Sequence, residues 1–110
     1  MALTRSMIHQ FDVFQNPLIA LRGEQPFVVC VQHRDFDHIA TRLVAPLATQ
    51  QLVPRASRLN PMFKLRGRML YLLPQNLAAF SVRRLRDAVD NLEQERDRII
   101  AAIDLVMTGV

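Results

Sequence analysis

The predicted fold class is mainly β, an antiparallel sheet completed by one C-terminal α-helix, and three observations predict it. From residue 8 to residue 82 the chain is a series of short runs, alternating or wholly apolar, separated by Pro, Gly and Asn. From Ser81 to Val110 the period changes: Leu85, Val89, Leu92, Ile99, Ile103 and Val106 or Met107 recur at the three-to-four spacing that lines one side of a helix. The third observation is length, since 110 residues can bury one modest core and not two, so a single domain over residues 1–110 is expected.

In chain order, residues 8–14 alternate as a strand, with His9, Phe11 and Val13 on one side and Gln10 and Asp12 on the other. Asn16-Pro17, Gly23 and Pro26 then bracket a long hairpin loop. Phe27 to Val31 is apolar at every position, which marks a central strand covered on both faces. Residues 33–38 read as a loop, Thr41 to Leu47 as a strand ended by Pro46, and Ala48 to Arg58, with Pro54, as a polar, flexible loop. Leu59–Leu65 and Arg68–Leu73 pair about an Arg-Gly-Arg turn at Gly67, and Leu77–Val82 is a short extended segment. The helix start has three candidate caps: Ser81, Asp90 with Glu93, and Asn91 with Gln94, the last two placing it near residue 91. Arg83, Arg84, Arg86, Asp87, Asp90, Glu93, Glu95, Asp97 and Arg98 fall mostly on its wet face, and Arg96 interrupts the stripe as a long stem with its head in water.

Composition narrows the function classes. The longest apolar runs are about five residues, far short of the ~20 that a membrane helix needs. Met1 to Gln10 lacks the apolar block of a secretory leader, so a cytoplasmic protein is expected. The single cysteine, Cys30, lies in an apolar run and reads as a small buried hydrophobe. The net charge of +4 is uneven: residues 1–80 carry nine basic and four acidic side chains, residues 81–110 five and six. The basic surface therefore belongs to the front of the chain, where Arg55, Arg58, Lys64, Arg66 and Arg68 concentrate it. Such a surface suits nucleic acid or an acidic protein partner equally.

Catalytic chemistry is missing. No two of the three glycines, Gly23, Gly67 and Gly109, lie in a phosphate-cradling pattern, and closeness of Cys30 to His33 and His38 along the chain is no sign of a catalytic pair. His33-Arg34-Asp35-Phe36-Asp37-His38 offers four potential ligands, but their spacing matches no metal site. No cofactor, metal or catalytic residue is expected.

Several motifs in order carry a resemblance. Arg98-Ile99-Ile100-Ala101-Ala102-Ile103-Asp104-Leu105-Val106-Met107-Thr108-Gly109-Val110, preceded by Gln10-Phe11-Asp12-Val13-Phe14, Val31-Gln32, Thr41-Arg42-Leu43-Val44-Ala45-Pro46-Leu47 and Arg58-Leu59-Asn60-Pro61, resembles the CcdB family over about residues 8–110. Members of that family are toxins of toxin–antitoxin pairs that poison DNA gyrase. The resemblance implies an SH3-like barrel shared with the MazF and Kid ribonucleases, a homodimer, and no enzyme activity of its own. It implies binding to the gyrase A subunit through Phe36, Asp104, Met107, Thr108, Gly109 and Val110, trapping gyrase with its DNA cleaved. It also implies neutralisation by a CcdA-like antitoxin, for which Arg55, Arg58, Arg66 and Arg68 are the candidate contacts, and operator DNA met only through the antitoxin complex. Two positions depart from the family pattern. Asp35 stands where an aliphatic residue is common, and Thr108 stands where the best-known plasmid toxin has tryptophan, although Thr-Gly-Val endings look familiar among chromosomal relatives. The alternatives are a MazF/Kid-like endoribonuclease, with Arg66, Arg68 and His38 as the groups it would need to converge, and a homologue that binds antitoxin without poisoning gyrase.

Overall fold

Phe27–Cys30 forms the strand on which the sheet is built, because its side chains have apolar neighbours on both faces. In the computed structural model, which describes residues 7–110, Val29 points into the larger of two main cores while Val28 and Cys30 point into the second. The seven strands are β1 (Asp12–Gln15), β2 (Phe27–Cys30), β3 (Thr41–Ala48), β4 (Met62–Leu65), β5 (Arg68–Leu72), β6 (Ala78–Ser81) and β7 (Asp90–Asn91), followed by α1 (Arg96–Thr108). All pairings are antiparallel: the order is β4-β5-β3-β2-β1-β7, with β6 paired to β3 as well, and the sheet curls into a nearly closed barrel. The expectation of an antiparallel sheet with a C-terminal helix is met. The reading of residues 1–10 as lacking a leader falls mostly on residues 1–6, outside the described range.

The long strand β3 does not end at Pro46 as expected; it continues to Ala48. Along its second edge it pairs with β6 through Thr41–Val44 and with β5 through Leu47 and Ala48. Pro46 falls between these two partners, its carbonyl accepting from the Leu73 N–H at 2.9 Å. A proline nitrogen is tolerated there because no ladder acceptor on that edge requires its missing N–H.

The first strand also differs from its expected span. Residues 9–11 form a turn closed by Asp12, whose N–H donates to the His9 carbonyl and whose carboxylate accepts from the His9 N–H at 2.8 Å. Phe11 takes a φ of 71°, a conformation that a bulky residue adopts only where its surroundings impose it. Two backbone bonds impose it here, Phe11 N–H to Cys30 and Leu92 N–H to Phe11, with the ring buried beside Val13. The β4 strand is shorter than predicted. Asn60 leaves the ladder and donates instead to the Leu72 carbonyl, and Pro61 is buried just before the strand begins.

The thirty-residue helical stripe is the largest correction. Leu85 packs in the second core with Phe80, whereas Leu92 packs in the first with Ile99, so they line opposite faces and no single helix joins them. Asp87 at φ 57° breaks the chain between them. Ser81 caps only a three-residue turn, Val82–Arg84. The later start is the nearer one: a 3-10 turn, Glu93–Glu95, begins two residues after Asn91 and runs into α1, without a side-chain cap on either, while the Asn91 side chain accepts from the Glu93 N–H at 2.7 Å. Its amide also reaches the Asp12 carboxylate at 2.9 Å, tying the helix start to β1. Ile99 and Ala102 are the buried face of α1, with Ile100 and Ile103 partly covered, and Arg96 stays exposed beside Asp97.

Cys30 is buried as expected, and burial pushes its thiol from the ordinary 9.0 up to about 11, opposed in part by the hydrogen bond with the Gln32 backbone. The unfolded thiol ionises first, so the stabilisation is complete below pH 9 and is lost as pH rises from about 9 towards about 11. In urea unfolding, the wild type should lose about 1–2 kcal/mol more than Cys30→Ala between pH 8 and pH 10. Parallel pH slopes for the two proteins would contradict this.

Candidate functional site

The end of α1 is built to stand clear of the fold. Its base is locked: Arg98 donates to the Met62 carbonyl at 2.8 Å, pairs with Glu95 at 2.8 Å, and lies 4.7 Å from the centre of the Phe63 ring. Ile99 and Ala102 are buried below it. Beyond Ile103 the apolar side chains leave the core, and Met107 and Val110 are 68% and 81% exposed. The expected continuation of the stripe through Val106 or Met107 is thus a free tip, since the core ends before the helix does.

Gly109 closes α1 in the left-handed conformation at φ 80°, its N–H donating to the Leu105 carbonyl at 2.9 Å. A Cβ there would meet nothing within 4 Å, so the glycine serves the backbone conformation and not a close approach inside the chain. Asp104 lies near the negative end of the helix dipole, with no basic residue in the last turn and no ion pair among the described residues. A carboxylate so placed costs about 0.3–1 kcal/mol, a local violation that a contacting partner could offset.

Phe36 is presented separately, on a 3-10 turn, Arg34–Phe36, between β2 and β3, and is 52% exposed. Two residues that sequence reasoning gave no role hold this loop. Gln32 donates to the carbonyls of Phe36 and Thr41 and accepts from the Leu43 N–H, so the Val-Gln motif is a clasp. Arg42, only 7% exposed, donates to the carbonyls of Ile39, Thr41 and Asp37, and its Nε lies 3.6 Å from the Asp37 carboxylate. The Arg42 position within the strand motif was legible. Its burial was not, because an arginine on an alternating strand ordinarily points to water.

Arg55 lines a cavity of about 430 Å³ with Val53, Asn60 and Leu73, and neither Arg58, Arg66 nor Arg68 lines it. Arg66 and Gly67, at φ 52° and 80°, are the central residues of the β4–β5 turn, the paired positive φ values that match a two-residue hairpin. Arg68 lies over the Phe27 ring at 6.0 Å. The loop 49–58 is less open than a polar reading suggests, since Val53 is buried against Ala48, Tyr71 and Leu73. His38 lines a different cleft, of about 840 Å³, with Arg42, Arg83 and Leu85, away from Arg66 and Arg68. Among the described residues no three His, Cys, Asp or Glu side chains are grouped to hold a metal ion, and no helix is long and apolar enough to cross a membrane.

An antiparallel barrel closed by one C-terminal helix is the fold that the resemblance implied, and the sequence model of the CcdB protein family matches residues 10–109 of the 110-residue chain. The chain belongs to the CcdB family. Among curated proteins none matches it. Membership makes this CcdB chain a toxin of a toxin–antitoxin pair. The matched region takes in Phe36, Asp104, Met107, Thr108 and Gly109, with Val110 just beyond.

Proposed function

We propose that this chain, a single toxin domain over residues 1–110, acts in the cytoplasm as a homodimer that binds the DNA gyrase A subunit and traps gyrase on cleaved DNA. The observation that carries the reading is the end of α1, where Met107 and Val110 are held out in solvent by a helix whose base is buried and cross-braced. The chain needs no catalysis of its own. A ligand that binds one conformation of a machine better than the others shifts the population towards it. An apolar tip that fits only the open, DNA-cleaved state therefore suffices, and gyrase's own chemistry leaves the break. Phe36 lies on a different loop from this tip, and dimerisation is the step that would assemble the two into one surface.

A disordered, acidic CcdA-like segment is the proposed neutralising partner, attracted by the charge at Arg55, Arg58, Arg66 and Arg68, with operator DNA engaged through that complex. These guanidinium groups are spread over a loop and a hairpin, which suits an extended segment laid across them better than a compact ligand. The ribonuclease alternative loses support because the cleft that His38 lines is lined by neither Arg66 nor Arg68.

The deciding assay mixes the full chain with gyrase, ATP and supercoiled plasmid, then denatures the complexes and scores linear DNA. Linear plasmid that rises with toxin concentration, and no cleavage of added RNA, is the expected result. RNA cleavage without trapped plasmid would replace this reading with the ribonuclease, and an inert folded chain would replace it with an antitoxin-binding homologue.

A further inference from the structure

We propose that Thr108 is a positioning residue: its hydroxyl ties the last turn of α1 to the residue beyond the glycine and so aims Val110, with the methyl group making no essential contact. This rests on the reading of the helix end as the target-binding site. The Thr108 hydroxyl donates to the Asp104 carbonyl at 2.7 Å and accepts from the Val110 N–H at 3.4 Å. One hydroxyl thus uses its proton towards a helix-end carbonyl and a lone pair towards an amide that has left the helix, which matches the donor and acceptor capacity of the group.

Packing cannot do this job. Val106, Met107 and Val110 are all exposed, and a Cβ added at Gly109 would have no neighbour within 4 Å. The direction of the last residue is therefore set by two backbone devices. One is the left-handed Gly109, bonded back to Leu105, which turns the chain; the other is Thr108, which holds the far side of that turn. Glycine is the most freely rotating residue in the chain, so a single bond before it leaves Val110 free to swing. The second bond, long at 3.4 Å, narrows that freedom before binding, and narrowing of this kind is how pre-organisation raises affinity.

The same logic gives the threonine in this position a role different from that of an aromatic residue. A large ring would contribute its own contact area to a target; threonine contributes the orientation of its neighbour.

The test compares Thr108→Val, which keeps the shape and loses both hydrogen bonds, with Thr108→Ser, which keeps the hydroxyl. Two readouts are used: the concentration for half-maximal gyrase trapping, and the backbone order of the Val110 amide by heteronuclear NOE. We expect Thr108→Val to raise the half-maximal concentration by about five- to tenfold at unchanged maximal trapping, and to lower the Val110 NOE. Thr108→Ser should stay within about twofold of wild type in trapping and retain the NOE. A valine variant that matches wild type in both readouts overturns the inference, as does a serine variant that behaves like the valine. If removing Gly109 and Val110 leaves trapping intact, the binding-site reading fails on its own account, and the NOE comparison still decides whether Thr108 orients the end.

Discussion

Removing Gly109 and Val110 is expected to abolish gyrase trapping, raising the half-maximal concentration at least about thirtyfold, while the thermal midpoint moves by less than about 3 °C. The two halves of this result have separate physical causes. Val110 is 81% exposed and the space around the Gly109 Cα is open, a Cβ there meeting nothing within 4 Å, so their removal takes little from the folded state; surface changes of this kind stay within about 0.5 kcal/mol. An interface, by contrast, concentrates its affinity in a few side chains that enter a partner deeply, and an apolar tip with no contacts of its own is suited to that role. The measurement is linear plasmid in the trapping assay beside a thermal melt of the same preparation. A shortened chain that traps cleaved DNA as well as the full one would show that the end of α1 is not the site.

The second large effect is on stability. Ile99→Ala should destabilise the chain by about 2–5 kcal/mol, whereas Val106→Ala, seven residues further along the same helix, should cost less than about 1 kcal/mol. Ile99 is fully buried in one core with Phe63, Leu65, Leu92 and Ala102, where truncation leaves a cavity that close-packed neighbours fill only in part. Val106 is 36% exposed and belongs to the free part of the helix. Urea midpoints of the two variants give the comparison directly. Equal losses would mean that the core extends further along α1 than its buried residues indicate. Because Ile99 anchors the post, its loss should also weaken trapping at temperatures where the folded fraction is still high.

Part of this architecture could be read from the residues before any coordinates. The apolar run of Phe27–Val31 announced a strand covered on both faces, and the strand is there, one residue shorter, over Phe27–Cys30. The Arg-Gly-Arg tip at Gly67 marked a hairpin turn, and the capping candidates at residues 90–94 placed the helix start near residue 91, close to the 3-10 turn that leads into α1. The motif order, from Gln10-Phe11-Asp12 to Thr108-Gly109-Val110, carried the family. The false helix between Ser81 and Asn91 shows where that reading fails. Leu85, Val89 and Leu92 keep a helical spacing, but spacing records only that residues are apolar, not which of two cores each one faces. With a core on each side of a curled sheet, a chain crossing from one to the other can imitate a helix in its periodicity. Pro46 misled for a related reason, since whether a missing N–H matters depends on what lies across the strand edge at that residue.

What the chain determined by itself is therefore local: strand period, turn chemistry, a helix start near residue 91, and the family to which the order of its motifs belongs. What the tertiary structure alone decided is which of these local pieces meet. It buried Arg42 under three carbonyls, made Gln32 a clasp for the Phe36 loop, and ended the core at Ile103 so that Met107 and Val110 project beyond it. The physical reason is range: dihedral preferences and hydrogen bonds between near neighbours act over a few residues of sequence, whereas burial depends on surfaces brought together from positions many tens of residues apart.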